Sequence, residues 1–356
     1  MYYNTPMIER QAEYTATIPH PHIRFVVTPN CNLSCVACQP GGEAYTRPSY
    51  FSEGKSGLIS PEEVQKLAEI ATNVGFAPVK ITGGEPLTRP DIIEIIAACK
   101  KIPGVVVNLG TNGLLLGEMA PQLKEAGVDS LNVGINTLDR KTYKRDTGVD
   151  GLQKVLNGIE VARRLKIPVN LNVVLMKQNF KEFDRFIELA RQYDLNIRVL
   201  PLSNLGNYSY WSSHYVPCAK LEGYIAEKYG TKSDLIQPWS GLGTPMSTFF
   251  INDVEVRIIN PENGVFYADF CQSNDCGNYP CIDGIWALRI DPNGDSKYCF
   301  FPRSGRESFN YLRALRIGEY NGIRIRMEED FNILNSAQPK KKWNPEVEDR
   351  KYVKTT

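Results

Sequence analysis

The chain has 356 residues, 42% hydrophobic and 23% charged, which is enough apolar material for a large buried core and excludes a disordered chain. Forty-one basic against 40 acidic residues leave a net charge of +1, so no broad field draws in nucleic acid or a membrane surface. No run of about eighteen apolar residues occurs, and the first twenty residues lack a basic leader followed by an apolar core. The expectation is a cytoplasmic protein without nucleic-acid or membrane partners.

From residue 22 to about 203, short apolar runs alternate with longer amphipathic stretches, the pattern of strand–helix units on a parallel sheet. Strands are predicted at 22–28, 78–82, 104–109, 129–135, 168–175 and 196–201. Among the helices between them, SPEEVQKLAEIATNVG opens with Ser60 as N-cap, Pro61 in the first position and Glu63 placed for a capping box. DIIEIIAACKK, EMAPQLKEAG, DGLQKVLNGIEVARRLK and KEFDRFIELARQYD show the same periodicity. Six units predict an α/β fold of the (β/α)₆ partial TIM barrel type, with ligands at the C-terminal ends of the strands. The alternation then stops. The reading is an N-terminal segment 1–21, a barrel 22–203, a C-terminal extension 204–335 carrying a second metal centre and packing on the barrel's open side, and a tail 336–356.

Nine cysteines are many for a cytoplasmic chain, where disulfides are rare. Three stand in TPNCNLSCVACQP directly after the first strand, as Cys31, Cys35 and Cys38. Three thiolates on one loop hold a [4Fe–4S] cube and leave one iron open to chelate a small molecule; zinc, the alternative, tends to complete four ligands. After the second strand comes ITGGEPLTRPD. Gly83 and Gly84 allow a close backbone approach to a ligand, and Glu85 can accept from an ammonium group. Thr111 and Asn112 end the third strand and Asn136 follows the fourth, where polar contacts to a cofactor are expected.

The C-x₃-C-x₂-C loop followed one strand later by GGEP resembles the radical S-adenosylmethionine superfamily. Within it, HIRFVVTPNCNLSCVACQP, VKITGGEPLTRPDIIEII, AGVDSLNVGINTLDRKTYKRDTGVDGLQKVLNGIEVA and CIDGIWALRIDPNGDSKYCFFP closely resemble the GTP 3′,8-cyclases of molybdenum-cofactor biosynthesis. The resemblance covers roughly three-quarters of the chain and leaves 203–270 divergent. It implies S-adenosylmethionine bound through Gly83, Gly84, Glu85, Thr111, Asn112 and Asn136, two [4Fe–4S] clusters, and a low-potential electron donor of flavodoxin or ferredoxin type. It also implies substrate contacts from Arg24, Lys80, Arg198 and Arg289.

This chain departs from that pattern. Cys271, Cys276, Cys281 and Cys299 offer four ligands to the second cluster where the family has three, which predicts a cluster fully ligated by protein; four-thiolate zinc is the alternative. Lys80 stands for an arginine, Asn170 for a phosphate-binding lysine and Ala287 for one of two paired arginines, losing cationic forks that would grip a triphosphate. Ala37, Gly134 and Ser203 replace usual cofactor contacts. The expected function is a radical enzyme that cleaves S-adenosylmethionine and abstracts hydrogen from a nucleotide-like small molecule or a peptide. The alternatives are the GTP cyclase itself and a non-catalytic iron–sulfur protein. Cys218, beyond the sixth strand, is a candidate hydrogen-atom donor, with a packed thiol as its bland alternative. Cys99 reads as a buried small hydrophobe, and His20, His22 and His214 receive no role.

Overall fold

The computed structural model describes residues 21–38, 58–203, 208–236, 246–263, 265–267, 285, 287–299, 308–336 and 338–341. Six strands follow one another in chain and in space: β1 (His22–Val26), β2 (Val79–Thr82), β3 (Val107–Thr111), β4 (Ser130–Gly134), β5 (Val169–Leu175) and β6 (Asn196–Pro201). All five pairings are parallel. Crossovers in parallel sheets are right-handed, so an order of 1-2-3-4-5-6 that always steps the same way puts every crossover helix on one face. That face carries Ile23, Phe25, Val79, Ile81, Leu109, Leu131, Leu171 and Val199, all within one buried apolar cluster. The helices laid on it are α1 (Pro61–Val74), α2 (Ile92–Lys100), α3 (Leu116–Ala126), α4 (Arg140–Thr147), α5 (Leu152–Arg164), α6 (Lys177–Phe180) and α7 (Phe183–Tyr193). The capping box at the start of α1 forms as expected, with Glu63 N donating to Ser60 Oγ and Ser60 N to Glu63 Oε2 at 2.8 Å.

The alternate residues of the same strands are polar. Arg24 is level with Lys80, Lys80 with Asn108, Asn132 with Asn170, and Asn172 with Arg198. Amides link neighbouring strands across this face: Ser130 Oγ donates to Asn108 Oδ1 at 2.8 Å, and Asn170 Nδ2 to Asn132 Oδ1 at 3.3 Å. A parallel sheet is normally apolar on both faces because helices cover both. Here one face is polar and nonetheless buried at Arg24, Lys80 and Asn170.

The chain beyond β6 does not stand apart from this sheet, as an appended extension would. After α8 (Tyr208–His214) and α9 (Cys218–Tyr229), strands β7 (Asp234–Ile236), β8 (Met246–Ile251) and β9 (Val254–Ile259) continue the β6 edge. Beyond the short strand β10 (Val265–Tyr267), β11 (Ala287–Ile290) and β12 (Ser296–Lys297) join the opposite edge beside β1. Because β9 runs parallel to β6 and β11 parallel to β1, eight strands are parallel where the alternation predicts six. Two helices follow, α10 (Tyr311–Arg316) and α11 (Tyr320–Asn335). Phe331 of α11 packs edge-on against Phe76 at 5.2 Å, and Arg316 of α10 pairs with Glu63 of α1 at 2.8 Å. Gln338–Lys341, expected within the tail, forms a last strand, β13, antiparallel to β10. Among the described residues no helix is long and apolar enough to cross a membrane.

Candidate active site

The loop that follows β1 carries Cys31, Cys35 and Cys38 at the C-terminal edge of the sheet. Two neighbours fix its course. Ser34 N and Val36 N donate to the Thr147 and Asp146 carbonyls at the end of α4, both at 2.9 Å. On the other side, Gly84 N donates to Thr28 O and Glu85 N to Asn30 O, both at 2.7 Å. A Cβ at Gly84 would fall 2.3 Å from Asn30 O, and one at Gly83 2.7 Å from Thr28 O. The two glycines therefore let the GGEP turn press backbone to backbone against the cysteine loop.

Glu85 is enclosed by the same turn. Its carboxylate is 1% exposed and is ringed by donors of the protein itself: Leu87 N at 3.0 Å and Thr111 Oγ1 at 2.8 Å on Oε1, and Asn112 N at 2.5 Å on Oε2. Burial holds its pKa above the usual carboxylate range, against the opposing pull of these three bonds. Glu85 thus clamps the turns after β2 and β3 together. Through it Asn112 is set beside the cysteines, with Nδ2 2.7 Å from Asn32 Oδ1 and 3.8 Å from Cys31 Sγ. Asn136 is likewise engaged, its Oδ1 accepting from Val174 N at 2.9 Å. Arg89, which the sequence did not single out, braces the same turn: it donates to Val27 O at 2.8 Å and Ile59 O at 2.6 Å and pairs with Asp91.

The thiols influence one another. Burial, then the neighbouring Cys38 and Cys31, push the Cys35 thiol up to about 12, and burial raises Cys31 as well. They do not close around one metal-sized point. A four-iron cube holds each thiolate on a separate iron and its charge favours the deprotonated form. Three thiols on one partly exposed loop, with no fourth beside them among the described residues, therefore fit a [4Fe–4S] cluster with one iron left open. Of the second cysteine group, Cys271, Cys276 and Cys281 lie outside the described residues. Cys299 follows β12 and packs against the core.

Below the cysteine loop, the polar face gathers positive charge. Arg24 of β1 is level with Lys80 of β2 on one side and Arg289 of β11 on the other. His22, which the sequence left unassigned, is buried among them and 3.3 Å from Arg24. Its pKa is lowered by burial first and then by Lys80, Arg24, Arg289 and Arg198. One further cation was missed: Arg257 of β9 is level with Arg198 and pairs with Glu255.

Cys218 does not take the open position expected of it. It begins α9, is fully buried within the apolar cluster, and its thiol donates to Ile259 O at 3.3 Å. Burial raises its pKa well above the ordinary thiol value. The geometry gives it the packed-thiol role.

The model of the Radical SAM superfamily matches residues 25–190, which span the cysteine loop and the units through α7. A relative from Sulfurisphaera tokodaii named "Probable GTP 3′,8-cyclase" is 31% identical over 318 residues, 88% of this chain and 90% of that protein. The chain belongs to the radical SAM superfamily. A GTP 3′,8-cyclase of Lactiplantibacillus plantarum is 37% identical over 201 residues, 55% of this chain and 59% of that one. Among solved structures, Streptococcus suis SuiB bound to S-adenosylmethionine matches with a TM-score of 0.58 over 89% of this chain and 68% of that one. At 15% identity this is a likeness of fold. The protein is accordingly a radical SAM enzyme, one that uses an iron–sulfur cluster and S-adenosylmethionine.

Proposed function

We propose that this radical SAM enzyme modifies an anionic, nucleotide-like small molecule held in the lumen of a partial barrel, and that it is a divergent paralogue of the GTP 3′,8-cyclases. The observation that carries the reading is the row of buried cations set level on β11, β1 and β2, Arg289, Arg24 and Lys80, around buried His22, whose pKa they and Arg198 of β6 help to lower. In a flat sheet β6 would lie five strand spacings, about 24 Å, from β1, whereas Arg198 of β6 contributes to lowering the pKa of His22 on β1. A curled sheet brings them together. The meeting of the loop after β1 with the segment after β6, Ala37 and Cys38 beside Leu202 and Ser203, supports the same curvature.

In this reading Cys31, Cys35 and Cys38 hold the first cluster. Gly83, Gly84, Glu85, Thr111, Asn112 and Asn136 shape the cofactor's surroundings, Glu85 and Asn136 by holding backbone in place. When bound, cluster and cofactor supply reductive cleavage of a C–S bond and with it a hydrogen-atom abstractor. The chain's own contribution is orientation and exclusion of water. Arginine forks grip phosphate or carboxylate oxygens with charge-assisted bonds, fixing which carbon faces the cofactor. The boundaries 22–203 for the barrel and 204–335 for the segment completing it remain the working division, with 1–21 before it. The electron arrives from a small low-potential donor.

Similarity to the cyclases favours GTP itself as a second reading. Asn170 speaks against it, because the residue forms an amide ladder with Asn132 where a phosphate-binding lysine would stand. Incubation with GTP, S-adenosylmethionine and dithionite should yield no 3′,8-cyclised product; its accumulation would establish the second reading. Arg24→Ala and Arg198→Ala should each weaken binding of GTP, used as an anionic probe in calorimetry, by roughly tenfold or more, the scale of a hydrogen bond to a charged group. Unchanged binding in both would remove the anionic-substrate reading.

Cys271, Cys276, Cys281 and Cys299 hold the second cluster in this reading. Arg289 donates to the carbonyl of Tyr298 at 2.5 Å, so a cluster ending at Cys299 borders the cationic face. With four thiolates it has no open iron, and its paramagnetic resonance signal should not respond to added GTP. A nitrogen hyperfine coupling from the nucleotide would show that only three cysteines ligate.

A further inference from the structure

His22 opens β1 and, two residues before Arg24, lies on the same polar face of the sheet. Its side chain is 1% exposed. Of the two ring nitrogens, Nε2 lies 3.3 Å from the Arg24 guanidinium, and Nδ1 is buried with no hydrogen-bond partner. A guanidinium can only donate, so Nε2 is the accepting, unprotonated nitrogen and the proton of the neutral ring sits on Nδ1. The structure thus carries an orphaned buried N–H donor, which native proteins seldom leave without a reason. The residue level with His22 on β11 is Ala287, whose methyl group can neither donate nor accept. After burial itself, the influences on the ring are cations: Lys80 of β2, Arg24 of β1, Arg289 of β11 and Arg198 of β6, which hold its pKa well below the usual histidine value. Without an anionic ligand His22 is therefore neutral. An anion lying across the same side chains would offset those cations and draw the Arg24 guanidinium to its own oxygens, uncovering Nε2.

We propose that His22 takes up one proton from solvent when a multiply charged anion binds this face, and so is the residue that reads the ligand's charge. The neutral ring offers Nδ1–H as a donor; with Nε2 protonated it adds a further positive charge to Arg24, Lys80, Arg198 and Arg289. A permanent cation at this place would repel its neighbours whenever the ligand is away. An imidazole supplies the charge only against an anion strong enough to call for it. A di- or triphosphate meets that condition better than a single carboxylate, whose one charge is already met by one arginine fork. His22 stands at the end of β1 away from the cysteine loop, so it recognises the charged end of the ligand and not the carbon that faces the cofactor. The inference rests on the cationic face being the ligand site.

Calorimetry on the anaerobically reconstituted enzyme, with GTP as the anionic probe, tests this as a function of pH. His22 has the lower pKa in the unliganded enzyme and the higher one in the complex, so between the two values binding absorbs a proton and affinity rises as pH falls. The nucleotide titrates in the same range, but its contribution is common to wild type and His22→Gln, which keeps an oxygen acceptor for Arg24 and cannot be protonated. The ratio of wild-type to variant affinity should therefore grow by roughly fivefold or more from about pH 8 to about pH 6, since one absorbed proton is worth up to about tenfold per pH unit. A purely structural role would shift affinity by the same factor at both. If His22→Gln does not fold, nitrogen resonances of isotope-labelled histidine in the wild-type enzyme decide the matter: His22 should carry its proton on Nδ1 alone in the unliganded enzyme and on both nitrogens with GTP bound. An affinity ratio independent of pH, or a ring that stays neutral in the complex, would overturn the role of His22 while leaving the cationic face as ligand site. A wild-type enzyme that binds no GTP at any pH would remove the anionic-ligand reading, and the inference with it.

Discussion

Replacing Cys31, Cys35 and Cys38 together with Ala should lower the iron content from about eight atoms per chain to about four and abolish formation of 5′-deoxyadenosine. The fold should survive the change. Cys31 and Cys38 are exposed, and the loop is held by backbone bonds to Thr147, Asp146 and the GGEP turn that involve no thiol side chain. Exposed substitutions of this kind usually shift stability by less than about 0.5 kcal/mol, with somewhat more for the half-buried Cys35. Thermal unfolding of wild type and variant, both stripped of iron, is the control that separates lost chemistry from lost structure. Residual cofactor cleavage in the triple variant would remove the assignment of this loop as the catalytic cluster site.

Glu85→Ala should be among the most damaging single changes in the chain. It leaves Leu87 N, Thr111 Oγ1 and Asn112 N without their common acceptor in a nearly inaccessible place. Unsatisfied buried donors cost about 1–3 kcal/mol each, so a loss of about 3–5 kcal/mol is expected even if one donor reaches water. Chemical denaturation would measure it. The pH dependence has a definite sign. Because burial raises the folded pKa above that of the unfolded chain, the folded state binds the proton more tightly, and stability declines as pH rises through the folded pKa. Glu85→Gln, which keeps one acceptor oxygen and cannot ionise, should remove that part of the slope. A stability within about 1 kcal/mol of wild type for Glu85→Ala would show that the clamp contributes nothing.

What the sequence by itself determined is whatever depends on neighbours a few residues apart. Short apolar runs placed the six strands, period-3.6 stretches placed five of the helices, and Ser60 with Glu63 marked the start of α1, because each of these is a pattern within one element. The C-x₃-C-x₂-C spacing was equally legible: three thiols on one short loop meet wherever that loop is placed. The helix α4 escaped detection because Tyr143 is its one buried residue and a strongly polar helix has no apolar period to read. Its carbonyls nevertheless support the cysteine loop.

Only the tertiary structure decided the rest. The partners of Glu85 at Thr111 and Asn112 are 26 and 27 residues away, and the motif reads the same whether its carboxylate faces a ligand or the protein. Cys218 looked available in a loop until α9 and the Ile259 carbonyl enclosed it. His22 and Arg257 acquired significance once β1, β6, β9 and β11 were set side by side, since the pairing of strands far apart in the chain is chosen by which edges and apolar faces remain to be covered, information that no local window contains.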